Sequence, residues 1–120
     1  MYWLGTESWG SSKKDAAERI SGAKALYLYP VMITQQITIV NRLGLHARAA
    51  SKFVNLSKAY ASNISLSLDN QHVDGKSIMN VMLLAAAKGA VLTLSTEGED
   101  EAQAFDELSA LIADRFGEPD

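Results

Sequence analysis

The chain has 120 residues, enough for one domain with a single modest hydrophobic core. Hydrophobic residues make up 48% and charged residues 21% of it, an ordinary globular balance, and a net charge of −3 argues against a general nucleic-acid binder. The absence of cysteine excludes disulfides and thiolate metal sites, and we find neither an apolar run long enough for a membrane span nor a secretory signal, so we expect a cytoplasmic location.

Residues 1–31 differ in composition from the remainder. They begin with a stretch rich in Gly and Ser, and Lys13 to Leu26 is compatible with a short helix. Residues 1–31 hold four Lys/Arg and three Asp/Glu, a sum of +1, whereas residues 32–120 hold seven and eleven, a sum of −4. A more regular pattern begins at Met32. We therefore expect an N-terminal extension of unknown role over 1–31 and a compact domain over 32–120.

The regular pattern predicts seven elements in the order β-α-β-β-α-β-α. Three segments alternate apolar and polar side chains, as half-buried strands do, and a short returning strand follows an Asp-Asn turn. The predicted strands are Ile33–Val40, Asn63–Leu68, Gln71–Val73 and Ala90–Thr96, and the predicted helices are Ala47–Tyr60, Ser77–Ala87 and a last one from Glu99 to Arg115. Strands with one polar face favour an antiparallel sheet covered by helices on its other face, so the predicted fold class is α+β, a two-layer sandwich.

The string GLHARAAS, residues 44–51, contains the strongest candidate for chemistry. His46 and Arg48 stand where a helix is predicted to begin, and the free N–H groups and dipole of a first helical turn favour an anion. A guanidinium group suits phosphate oxygens, and a neutral imidazole is nucleophilic near pH 7. The arrangement suits a histidine that carries a phosphoryl group for a time. A single histidine at a helix start is, however, more often only a cap or a half-buried polar residue.

The helix predicted over Ser77–Ala87 is apolar on two faces. One face holds Val81, Leu84 and Ala85, and the opposite face holds Met79, Met82, Leu83 and Ala86. A helix buried on all sides is hard to arrange in a small two-layer domain, so we expect the second face to be an exposed docking patch. Methionine suits surfaces that must accept several partner shapes. The alternative is that the two methionines fill gaps in the core.

Ser77 precedes this helix, with Lys76 before it. We expect the serine to act as the N-cap. The functional alternative is phosphorylation, which would place a dianion beside the docking patch.

GLHARAAS, followed about thirty residues later by DGKSIMNVMLLAA, resembles the HPr family, the histidine phosphocarriers of the bacterial phosphoenolpyruvate-dependent phosphotransferase system. The resemblance extends from Met32 to about Phe116 and implies the open-faced sandwich of that family, with four antiparallel strands covered by three helices. It implies that His46 accepts a phosphoryl group on Nδ1 from Enzyme I, that Arg48 assists, and that a IIA-type protein receives the group. Such a carrier is a substrate of phosphotransferases rather than an enzyme. It needs no cofactor and is expected to be monomeric.

The resemblance also implies a regulatory site and a docking surface. Ser77 matches a serine that a dedicated kinase modifies in some lineages. Ile78, Met79 and Met82 match the surface that docks on Enzyme I and on IIA acceptors. We expect three more residues to contribute to that surface: Ala49, Lys76 and Leu83.

One position departs from the commonest family string, which has proline where this chain has Ala49. Proline in the first helical turn presets the backbone and lacks an N–H, whereas alanine is compatible with the helix and can donate one more N–H towards a phosphate. The site should therefore persist. The Ala49 form looks like the nitrogen-related branch, NPr, which serves regulation more than sugar uptake.

Two other functions remain open from the residues alone. The chain could be a regulatory binding module that acts through Ser77 and the Met79/Met82 face while His46 is idle. A metal or hydrolytic site using His46 and His72 is weaker, because no carboxylate spacing typical of a ligand set accompanies the two histidines.

Overall fold

The computed structural model describes residues 32–120, which follow the predicted order β-α-β-β-α-β-α. The N-terminal extension, with the helix expected over Lys13–Leu26, lies outside the described residues. The elements are β1 (Ile33–Thr38), α1 (Ala47–Ser57), β2 (Asn63–Leu68), β3 (Gln71–Asp74), α2 (Ile78–Leu83), β4 (Val91–Glu97), α3 (Glu101–Ala113) and a 3₁₀ turn (Arg115–Gly117).

The four strands form one antiparallel sheet in the order β1-β4-β2-β3. β4 lies in the centre, where Leu92 faces Ile37 of β1 and Leu94 faces Leu66 of β2. Because side chains alternate along a strand, these leucines line one face of the sheet and the intervening polar residues line the other. The α+β prediction is confirmed.

The helices pack on the apolar face and close the core. α1 turns one stripe towards the core, formed by four buried residues: Ala50, Phe53, Val54 and Ser57. Deeply buried side chains from the other elements complete the core, among them Leu108, Ile112 and Phe116. On the open face, the hydroxyls of Thr34 and Ser95 lie 3.1 Å apart.

The helix predicted over Ser77–Ala87 is shorter than expected. α2 ends at Leu83, and Ala85 adopts a left-handed backbone with φ of +49°. Instead of continuing the helix, the segment after Leu83 makes a tertiary contact, in which the Ala86 carbonyl accepts a hydrogen bond of 2.8 Å from the Leu45 N–H. Ala86 is therefore buried and does not share an exposed face with the methionines.

The C-terminal end also differs from prediction. α3 ends at Ala113, and Arg115 lies beyond it instead of in its last turn. Arg115, Phe116 and Gly117 have φ values of +58°, +55° and +79°, which reverse the chain sharply. Phe116 is fully buried in the core, which holds this conformation against its local cost.

Smaller shifts occur at two helix and strand ends. α1 ends at Ser57 instead of Tyr60, and β1 ends at Thr38 instead of Val40. Within residues 32–120, every helix is too short or too polar to cross a membrane.

Candidate functional site

His46 is the N-cap residue of α1, as predicted. Its backbone is extended (φ −76°, ψ 179°) and its carbonyl accepts a 2.8 Å hydrogen bond from Ala50, but its side chain makes no capping bond. The imidazole is therefore not used as a cap. With 29% of its side chain exposed, the ring is half-buried and open to a partner.

The turn before His46 is fixed by close backbone contact. Gly44 has φ of +68°, and a Cβ at this position would stand 2.4 Å from the Ala86 carbonyl oxygen. Only glycine meets both conditions. Together with the Leu45–Ala86 hydrogen bond, this contact ties the turn before the histidine to the segment that follows α2.

The imidazole has a partner that was not predicted, the carboxylate of Glu118. His46 Nε2 is hydrogen-bonded to Glu118 Oε2, and only 9% of the Glu118 side chain is exposed. Glu118 Oε1 accepts a second hydrogen bond, 2.9 Å, from Asn41 Nδ2. The bond from Asn41, followed by the bond and charge of His46 and the charge of Lys52, holds the pKa of Glu118 below its ordinary range although burial opposes this.

The histidine opens into a surface depression formed by the turn, the start of α1 and the C-terminal tail. Arg48 is exposed and lines this depression together with His46. The other lining residues are Arg42, Leu43, Glu118, Pro119 and Asp120.

Sequence reasoning missed Asn41, Leu43 and Glu118. Glu118 lies 72 residues from His46 and next to Pro119, so its pattern indicated only the end of the last helix. The one usable signal was the Gly117–Pro119 break, which permits a reversal but does not give its direction.

The expected docking patch is exposed at three residues of α2. The exposed fractions are 73% for Met79, 65% for Leu83 and 39% for Met82, and we call these three the Met/Leu patch. Ile78 is half-buried against the core. The interpretation of the methionines as core fillers is therefore wrong.

Two residues expected in the docking surface have structural contacts within the domain. Ala49 is fully buried, so it offers no surface to a partner. Lys76 is half-buried, and its ammonium donates a 2.7 Å hydrogen bond to the Tyr60 carbonyl, which ties the α2 entrance to the loop after α1. Ala49 is therefore excluded from the docking surface, whereas the docking role expected of Lys76 stays a prediction.

Ser77 is the N-cap of α2. Its hydroxyl oxygen accepts a hydrogen bond of 3.3 Å from the Asn80 N–H, as the capping prediction requires. The hydroxyl is half-buried at the edge of the Met/Leu patch.

The two histidines have different surroundings. His72 lies exposed on the edge strand β3, opposite Ser67, while His46 is paired with Glu118. Among residues 32–120, no group of three or more His, Asp or Glu side chains is placed to hold a metal ion.

An open-faced sandwich with a half-exposed histidine at a helix start and an arginine two residues on has the features of a histidine phosphocarrier domain. Residues 33–114 match the family model described as the PTS HPr component phosphorylation site. The chain is 51% identical over 87 residues to the phosphocarrier protein HPr of Cupriavidus necator, covering 72% of this chain and 98% of that protein. It is 52% identical over 84 residues to the HPr of Pseudomonas aeruginosa, covering 69% of this chain and 93% of that protein.

Solved structures give the same result. The chain superposes on HPr from Thermoanaerobacter tengcongensis with a TM-score of 0.69 and 43% identity, covering 72% of this chain and 97% of that one. The chain therefore belongs to the HPr family of phosphocarrier proteins of the phosphotransferase system. Members of this family carry a phosphoryl group and are not themselves catalysts.

Proposed function

We propose that this protein accepts a phosphoryl group from Enzyme I on Nδ1 of His46 and passes it to a IIA-type acceptor. The observation that carries the proposal is the half-exposed imidazole at the N-cap of α1, free of any capping duty, beside an exposed guanidinium. Arg48 and the first-turn amides of α1 take up charge on the phosphoryl oxygens during transfer. We place this protein in the cytoplasm, where Enzyme I would take its phosphoryl group from phosphoenolpyruvate.

The same small surface serves both donor and acceptor. Leu45, next to His46, is hydrogen-bonded to Ala86, which follows α2, so the histidine and the Met/Leu patch lie on neighbouring segments. Flexible apolar side chains beside the reacting group suit partners of different shape, and a transient carrier needs only a modest contact area. A monomer leaves this face free for each partner in turn.

The nitrogen-regulatory branch is our proposed acceptor pathway. Ala49 stands where the commonest family string has proline, and it looks like the NPr form. Parallel transfer assays with sugar-type and nitrogen-type IIA proteins distinguish the two pathways by rate.

Regulation through Ser77 is a further prediction from the family. The hydroxyl already caps α2, so a serine kinase would exchange the cap for a phosphate at the border of the Met/Leu patch. Added negative charge there would disturb docking more than chemistry at His46.

Incubation with Enzyme I and phosphoenolpyruvate, followed by intact mass measurement, tests the proposal. We expect one added phosphoryl group that brief acid treatment removes. His46→Ala should prevent the addition while the chain still folds and unfolds cooperatively, because the ring makes no capping bond; its melting temperature should fall somewhat, since the Glu118 carboxylate loses its partner at Nε2. His72→Ala, which alters the other described histidine, is the matched control and should be phosphorylated normally. An acid-stable group on Ser77, or phosphorylation that survives in His46→Ala, would contradict the proposal and favour the regulatory module.

A further inference from the structure

The carboxylate of Glu118 lies between two fixed groups. One oxygen is hydrogen-bonded to His46 Nε2, and the other accepts a hydrogen bond of 2.9 Å from Asn41 Nδ2. Asn41 is itself fully buried, and the same amide nitrogen donates a hydrogen bond of 2.8 Å to the Gly44 carbonyl. A chain of contacts thus connects the turn before the histidine to the histidine ring through a residue of the C-terminal tail.

The orientation of Asn41 is decided by its donors. Both of its side-chain hydrogen bonds within residues 32–120 use Nδ2 as the donor to an oxygen, while its buried Oδ1 has no hydrogen-bond partner in this part of the chain. Leaving an acceptor unsatisfied costs free energy. Asn41 therefore faces the Glu118 carboxylate with an N–H donor, the kind of group that an ionised carboxylate accepts from.

The tail is anchored on both sides of Glu118. Before it, Phe116 is fully buried, and its carbonyl accepts a hydrogen bond of 2.8 Å from Lys52 Nζ. After it, the backbone oxygen of Asp120 accepts a hydrogen bond of 3.0 Å from the Arg42 N–H. The Asp120 side-chain carboxylate lies 3.2 Å from Arg42 Nε. With both neighbours held, the carboxylate remains at the ring.

The chemistry of the pair selects a tautomer. An ionised carboxylate only accepts hydrogen bonds, so the neutral imidazole that faces it must carry its hydrogen on Nε2. The lone pair then lies on Nδ1. We propose that Glu118, oriented by Asn41, is a positioning residue that presents Nδ1 of His46 as the nucleophile. This inference rests on the proposed function and deepens it.

The transfer step gives the pair a second role. Nδ1 attacks phosphorus and forms the N–P bond, while the bond between phosphorus and the donor atom breaks and its electron pair leaves with the donor. Nε2 keeps its hydrogen throughout, so the neutral ring becomes a cationic phosphoimidazole. The Glu118 carboxylate, next to Nε2–H, stabilises that positive charge as it develops. In the onward step, the positive charge of the ring disappears when the acceptor takes the phosphoryl group.

The test compares Glu118→Gln with the native chain. Glutamine keeps the shape but removes the charge, and its amide can donate as well as accept. Nitrogen-15 NMR of the imidazole rings at about pH 8.5, above the ordinary histidine pKa, reports the tautomer directly without any donor. We expect His46 of the native chain to be mainly Nε2–H and the variant to gain Nδ1–H. We also expect phosphoryl acceptance to slow about 10- to 100-fold, the effect of one hydrogen bond to a charged group.

Glu97→Gln is the matched control, because Glu97 is exposed at the end of β4 that pairs with the start of β1, away from the turn at 41–46. It should change neither the tautomer nor the rate. A native chain that is mainly Nδ1–H, or a tautomer and rate unaltered in Glu118→Gln, would overturn the inference. Failure of the proposed function gives another pattern: the Nε2–H tautomer depends on Glu118, yet the native chain takes no phosphate from Enzyme I.

Discussion

At the scale of single residues, His46 is defined by what surrounds it more than by its own type. The sequence string placed it at a helix start beside Arg48, and the structure confirms both positions. The string gives no sign of the Glu118 carboxylate at Nε2, because Glu118 lies at the other end of the domain sequence. Local sequence therefore predicted where the histidine that we propose as the reacting group lies, while its electrostatic environment depends on tertiary structure.

Gly44 links this residue to the fold. Gly44→Ala would place a methyl group 2.4 Å from the Ala86 carbonyl oxygen in a left-handed conformation, so we expect it to lower the free energy of unfolding by about 2–4 kcal/mol. Gly89→Ala is the matched control, since its φ is +92° but no atom lies within 4 Å of the added Cβ. Urea unfolding should show the larger loss for Gly44→Ala. Equal losses would mean that the contact with Ala86 is unimportant.

At the scale of elements, sequence periodicity located all seven helices and strands but not all of their ends. α2 ends early because the segment after it is recruited to the turn at Leu45, and no glycine or proline near Ala85 marks that break. The exposed Met/Leu patch was predicted correctly because it depends on the period of the helix alone. Ala86 was predicted wrongly because its burial depends on a distant contact.

The C-terminal tail shows the same limit. Gly117 and Pro119 correctly indicated that the last helix stops, yet three consecutive left-handed residues direct the tail back to the histidine. Only the burial of Phe116 makes that path favourable, and burial of one side chain is not a periodic signal.

The loop before β2 is connected to the start of α3 by hydrogen bonds to a charged group. The Asp100 carboxylate, just before α3, accepts 2.9 Å bonds from the N–H groups of Ala61 and Ser62 and a 2.5 Å bond from the Ser62 hydroxyl. The Ser62 hydroxyl, followed by the Ala61 N–H, lowers the pKa of Asp100 below its ordinary 3.8. The stabilisation is therefore present above about pH 4 and disappears as the pH falls through the lowered pKa.

We accordingly expect Asp100→Asn to lower the melting temperature at neutral pH and to lose part of the decline in stability that the native chain undergoes on acidification. Thermal melts from about pH 7 to pH 2 measure both effects. Glu99→Gln, an exposed neighbour, should follow the native curve. A parallel curve for Asp100→Asn, merely shifted, would show that its charge is not what joins the loop to α3.

At the scale of the whole domain, residues 32–120, the fold places His46, the proposed reacting residue, and the Met/Leu patch on adjacent segments. The opposite, open face of the sheet is largely polar, with Thr34 and Ser95 hydroxyls in contact. This asymmetry between faces supports the proposal that partners dock on the side of the Met/Leu patch.

We expect the double variant Met79→Ser, Leu83→Ser to raise the apparent KM for phosphorylation by Enzyme I at least about tenfold, since a few exposed apolar anchors dominate such contacts. Its free energy of unfolding should change by only about 0.5 kcal/mol, because both side chains are largely exposed. The control is Val91→Ser, which alters an exposed apolar residue on the open face of the sheet. Similar KM values for the double variant and the control would place the docking surface elsewhere.

The most direct test of the whole account is phosphorus and nitrogen-15 NMR of the chain after phosphorylation by Enzyme I. We predict one phosphohistidine, with phosphorus coupled to Nδ1 of His46 and the hydrogen retained on Nε2 beside Glu118. Phosphorus coupled to Nε2 of His46, to His72, or to no histidine would contradict the account.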